Sequence, residues 1–149
     1  MAKSDPVSAS DSDVVVDAIL WTDGAARGNP GPAGSGAILK TTSLEVLAAD
    51  GQYIGETTNN VAEYKALLLG LLRALQHGIR RLEVRADSEL MIKQLRGEYQ
   101  VRAEGLKPLF AEAKGMIGRF EAVRLVHVRR EQNVEADRLA NQAIDDEKA

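Results

Sequence analysis

The chain has 149 residues, 44% hydrophobic and 28% charged, which fits one globular domain of ordinary composition. No apolar run approaches the roughly 20 residues that span a bilayer, the N-terminal MAKSDPVSASDSD has no apolar core of a secretory signal, and the lack of cysteine excludes disulfides and thiolate metal sites and fits a cytoplasmic protein. The net charge of −3 disfavours a nucleic-acid partner only until its distribution is read: between residues 18 and 142 there are 15 acids against 17 bases, and acidic ends hide a neutral to slightly basic body.

Residues 1–13 are rich in Ser, Asp and Ala and read as a disordered tail. Residues 14–21 read as a central strand, apolar on both faces, that ends on Asp23. The stretch 24–35 holds four glycines and two prolines and reads as a loop. A second strand is expected at 36–42, with weaker strand signals at 44–47 and 52–55 around an Asp50-Gly51 turn. The period then changes. Val61, Tyr64, Leu67, Leu68, Leu71, Leu72 and Leu75 recur at helical spacing, and Gly78 stands where a helix-ending glycine belongs. Residues 79–86 read as a strand and 88–96 as a short helix stopped by Gly97. Residues 106–118 read as a helix with Pro108 in its first turn, 122–128 as a strand and 133–144 as a final helix. The order βββ-α-β-α-α-β-α predicts an α/β fold, one mixed sheet covered by helices, spanning 14–144. Residues 145–149 form an acidic C-terminal tail.

Four acids mark element ends: Asp23, Glu63 in "TTNNVAEYKAL", Asp87 in "RADSELMIKQL" and Asp137 in "EQNVEADRLAN". Each has an ordinary structural explanation. Asp23 before Gly24 suits a turn, Glu63 suits a capping-box-like start three residues after Asn60, Asp87 or Ser88 suits an N-cap, and Asp137 suits a helix dipole. Brought to one sheet edge, however, such carboxylates repel unless protons or cations intervene. With no cysteine and only His77 and His127, such a site suits Mg²⁺ or Mn²⁺ rather than Zn²⁺. The residues alone carry the reading as far as metal-dependent phosphoryl chemistry.

In "TDGAARGNPGPAGSGAIL", "TTNNVAEYKAL", "RADSELMIKQL" and "HVRREQNVEADRLAN" the chain resembles, in order, the four motifs of the type 1 ribonuclease H family. The resemblance implies the ribonuclease H-like fold, a five-stranded mixed sheet with an antiparallel second strand and helices on both faces. It also implies two-metal-ion endonucleolytic hydrolysis of the RNA strand of an RNA–DNA hybrid, leaving 3′-hydroxyl and 5′-phosphate ends. Asp23 would bridge two Mg²⁺ (or Mn²⁺) ions, Glu63 and Asp87 would complete one ion's shell, and Asp137 would bind the other. Asn29, Asn59 and Asn60 match minor-groove asparagines, whose amides suit 2′-hydroxyls and base edges. Thr58 matches a threonine near a DNA phosphate, and Gly24 and Gly28 would let the backbone approach the substrate. His127 matches a histidine that aids proton transfer and product release, with Arg130 competing for that role. His77 reads as a helix C-terminal residue without a catalytic part.

Two departures stand out. Glu89 replaces a glutamine that many members direct at the minor groove, and the basic protrusion between Asp87 and the last strand is missing. Both predict weaker, more salt-sensitive binding. Trp21 reads as core. A monomer is expected, with no membrane and no obligatory protein partner. The competing readings are another nuclease of the same fold, a junction resolvase or exonuclease, and a non-catalytic hybrid-binding module. The asparagines disfavour the first and the intact acid quartet disfavours the second.

Overall fold

The computed structural model describes residues 7–8 and 15–148. Its strands are β1 (Val7–Ser8), β2 (Ala18–Ala26), β3 (Gly31–Thr41), β4 (Val46–Thr57), β5 (Arg81–Ala86) and β6 (Ala122–His127). Its helices are α1 (Asn59–Gln76), α2 (Glu89–Leu95), α3 (Lys107–Ile117) and α4 (Val134–Lys148), with a short 3₁₀ turn at Arg130–Gln132. They form one sheet in the order β1-β6-β5-β2-β3-β4. β3 runs antiparallel to both neighbours, while β2, β5, β6 and β1 are mutually parallel. This is the ribonuclease H-like five-stranded mixed sheet, extended at its edge by two residues. The remainder of the expected 1–13 tail lies outside the described residues.

The helices form where the apolar spacing predicts them, with interpretable ends. Thr58 caps α1 by accepting from Val61 N at 3.2 Å, and Ser88 caps α2 by accepting from Met91 N at 3.3 Å. Asn60 is therefore inside α1, and Glu63 lies five residues past the cap rather than at a capping-box position. Gly78 and Gly97 take positive φ after α1 and α2. α4 continues beyond Ile144 to Lys148, so Asp145 and Asp146 are helical.

The strands differ more from expectation. β2 continues three residues past Asp23, so Asp23 is a mid-strand residue paired with Gly36. β3 starts at Gly31, which shortens the expected 24–35 loop to a tight connection at 27–30. Asp50-Gly51 makes no turn; β4 runs through it. The reason is packing. A Cβ built on Gly34, Gly36 or Gly51 would lie 2.2–2.5 Å from a backbone oxygen of α4. These glycines serve close approach of a helix, a use that sequence cannot distinguish from a turn. Asp50 is meanwhile held by Arg73 Nε at 2.9 Å.

The main core lies on the other face. Leu20, Leu39, Leu82, Val84, Val123 and Leu125 from the sheet meet Tyr64, Leu67 and Leu71 of α1, Ile92 and Leu95 of α2, and Ile117 of α3. Each such side chain contributes about 1.5–3 kcal/mol on burial. Among the described residues, no helix is long and apolar enough to cross a membrane.

Candidate active site

Parallel pairing of β2 with β5 sets Thr22 against Ala86, and pairing of β5 with β6 sets Ala86 against His127. Asp23 is the next residue of β2, and Asp87 directly follows the last residue of β5. The register thus brings Asp23, within β2, beside Asp87 and His127 at the ends of β5 and β6. α1 and α4 close this site from opposite faces. Gly24 admits α1: its Cβ would fall 2.3 Å from Ala62 C and Glu63 N. Across that contact the Glu63 carboxylate accepts a hydrogen bond from Gly24 N. On the other face, buried Asn133 donates from Nδ2 to Thr22 O at 2.8 Å and fixes the start of α4.

Oxygens of Asp23, Glu63 and Asp87 lie within 4.8 Å of one another. Asp137 lines the same open cleft of about 730 Å³. Asp23 is 6% exposed and Glu63 4% exposed. Burial, with the charges of Glu63 and Asp87 added, pushes the Asp23 carboxyl far above the usual carboxylate range. Burial also raises Glu63, against the hydrogen bonds it receives. Hard cations in the cleft would relieve this repulsion. An all-oxygen donor set of this kind fits a divalent metal.

Around the acids, Arg27, Arg129 and Arg130 line the cleft together with His127. His127 is exposed at the end of β6, so both it and Arg130 reach the site. Asn59 lines the cleft, and its backbone N–H donates to Asn29 Oδ1 at 3.0 Å, tying the 27–30 connection to the start of α1. Asn29 and Asn60 are exposed beside it. Gly28 takes φ +106°, which only glycine adopts readily. Glu89 is exposed and paired with Lys93 at 2.9 Å, which lowers its carboxyl below the usual range. His77 caps the C-terminus of α1, away from the cleft. Trp21 is not core. It is half-buried on the α4 face, with Lys40 Nζ 5.3 Å and Arg85 Cζ 5.1 Å from its ring centroid. Sequence reading missed Arg27 and Asn141, which also line the cleft. Asn141 follows Asp137 by four residues, one helical turn on the same face, and that spacing is the signal that finds it.

A family profile described as reverse transcriptase-like matches residues 21–143. The ribonuclease H1 of Halobacterium salinarum superposes with a TM-score of 0.84 at 40% identity, covering 87% of this chain and 98% of that one. The chain belongs to the type 1 ribonuclease H family. The N-terminal ribonuclease H domain of Rv2228c from Mycobacterium tuberculosis gives a TM-score of 0.85 at 41% identity over 89% of this chain and 96% of that domain. LC11-RNase H1, solved in complex with an RNA/DNA hybrid, gives 0.85 at 42% identity over 89% and 99%. Full-length Rv2228c, a bifunctional protein, is 42% identical over 128 residues, and this chain spans about a third of it. A type 1 ribonuclease H fold explains why Asp23 sits inside a strand: the sheet fixes its carboxylate more firmly than a loop would.

Proposed function

We propose that this chain is an endonuclease that hydrolyses the RNA strand of RNA–DNA hybrids, leaving 3′-hydroxyl and 5′-phosphate ends. The observation that carries the reading is the convergence of Asp23, Glu63 and Asp87 oxygens, with Asp137 across the same cleft. The family and the hybrid-bound relative support it. Residues 14–144 are the catalytic unit, acting as a cytoplasmic monomer.

Asp23, Glu63, Asp87 and Asp137 would hold two Mg²⁺ or Mn²⁺ ions. Such a pair supplies, when bound, an activated water and stabilisation of the leaving oxygen. The protein's own residues do the rest. β2 holds Asp23, the end of β5 positions Asp87, and Gly24 N donates to the Glu63 carboxylate. Asn29, Asn59 and Asn60 present amides to 2′-hydroxyls in the minor groove, and the Asn29–Asn59 bond keeps two of them in register. Thr58 sits at the amino end of α1, where a DNA phosphate is favoured. Arg129 and Arg130 add positive charge at the rim. His127 would aid proton transfer and product release at the cleft, with Arg130 competing for that role.

The test is cleavage of a hybrid labelled on one strand end, with Mg²⁺, Mn²⁺ or chelator. Duplex DNA, double-stranded RNA and a four-way junction serve as controls. Cutting of the RNA strand alone, dependent on metal, is the expected result. Retention of the hybrid without cutting would make the protein a binding module instead.

A further inference from the structure

Asp137 is the one acid of the quartet carried by α4, and α4 reaches the site across glycines rather than through the main core. What fixes its carboxylate is a chain of polar contacts. Asn141 Nδ2 donates to Asp137 Oδ1 at 3.2 Å and to Asp137 O at 3.0 Å. Arg27 Nη2 donates to Asn141 Oδ1 and to Asn141 O, both at 3.3 Å. Arg27 Nη1 donates to Asp145 Oδ1 at 2.6 Å. Arg27 belongs to the 27–30 connection, whose Asn29 is bonded to Asn59 N. Thus a single short connection is tied to α1 through Asn29 and to α4 through Arg27.

The chemistry of the middle residue is specific. Arg27 has donors and no acceptor, and ionised Asp137 has acceptors and no donor. A side chain that joins them must accept on one side and donate on the other, and a short amide does both. The contact engages Oδ1 of Asp137 and so restricts rotation of the carboxylate. Groups that hydrogen-bond a ligating carboxylate typically change metal affinity or activity by about 10–100-fold when removed.

We infer that Asn141, anchored by Arg27 and Asp145, is a positioning residue that aims the Asp137 carboxylate at a divalent cation in the cleft. The inference rests on the proposed metal-dependent reading of this site. It assigns Asn141 no contact with substrate.

The experiment compares wild type with Asn141→Ala and Arg27→Gln. Alanine is the better helix former, so loss of α4 is not the expected consequence of the first variant. Three quantities are read: Mn²⁺ binding by calorimetry, the Mn²⁺ concentration giving half-maximal cleavage, and KM for the hybrid. Asn141→Ala should weaken Mn²⁺ binding and raise the half-maximal concentration by about tenfold or more, with KM changed less than about twofold. Arg27→Gln should move the metal quantities the same way by about threefold, because the amide keeps its bond to Asp137 but loses its anchor. Unchanged Mn²⁺ binding in a folded Asn141→Ala protein overturns the inference. If that variant fails to fold, unchanged Mn²⁺ binding in Arg27→Gln overturns it. Wild-type protein that neither binds Mn²⁺ nor cuts the hybrid would instead sink the metal-dependent reading itself.

Discussion

On one face of the sheet, α1, α2 and α3 bury leucines, isoleucines and Tyr64 against β2, β3, β5 and β6. On the other, α4 lies against Gly34, Gly36 and Gly51, so close that no Cβ fits between. The first face removes large apolar area from water. The second trades side-chain volume for backbone proximity and spends its remaining surface on charge. Beyond α4, Glu83 is 4% exposed and bridges Arg85 and Arg124. Each face delivers an acid to the edge: Glu63 from the greasy side, Asp137 from the glycine side. Stability and acid placement are therefore divided between the two faces, and substitutions should separate them.

The largest effect is expected where the faces meet. Asp23→Asn should lower cleavage by about 10³-fold or more. Its effect on stability has the opposite sign. Because the folded carboxyl titrates well above its unfolded value of 3.8, its stabilising contribution is complete below about pH 4 and is lost as pH rises through the folded pKa. Metal-free wild type should therefore melt at a lower temperature than the Asn variant near pH 8, with the gap widening from pH 5 to pH 9. Calorimetric melting across that range checks this. Added Mg²⁺ should raise the melting temperature of wild type more than that of the variant.

A paired test addresses the division directly. Leu67→Ala, on the apolar face, should cost about 2–5 kcal/mol while cleavage per folded molecule stays within about twofold. Gly36→Val would put a Cβ 2.2 Å from Ala136 O. It should displace α4 and Asp137 and lower cleavage by about 10²-fold, as an ångström-scale misplacement does. Denaturant melts and steady-state rates on both proteins decide it. If Leu67→Ala were the more damaging to cleavage, the division would fail.

The smallest effect concerns the start of α2. Glu89 is exposed and paired only with Lys93 among the described residues. Glu89→Gln should leave stability within about 0.5 kcal/mol. It should lower KM for the hybrid about threefold at low salt, and less at high salt as screening grows. KM measured at two ionic strengths checks it.

The division also explains what could be read from sequence. Tyr64, Leu67 and Leu71 announce α1 because burying a helix face requires the 3.6 period, and the four motifs locate the acids in chain order. The glycine face was misread because its signal is the absence of side chains. Gly34 and Asp50-Gly51 looked like turns, although the chain there is extended beneath α4. Trp21 looked like core because apolar neighbours surround it in sequence, yet alternation puts it on the charged face between Lys40 and Arg85. Bringing Asp23 beside Asp87 required the sheet register, which pairs Thr22 with Ala86, and no local pattern encodes that pairing. Asn141 was overlooked although it stands one helical turn past Asp137; its contact with Arg27 spans 114 residues.

Trp21 is the chain's single tryptophan, and it shares a shallow pocket with Asn133, Glu135 and Ala136 at the start of α4. Lys40, stacked on its ring, is also bonded to Glu135 at 2.6 Å. The indole is therefore a built-in optical gauge of helix docking. Its emission should shift when α4 lifts, before the leucine layer on the far side is disturbed, and the protein would announce loss of its fourth carboxylate without any label attached.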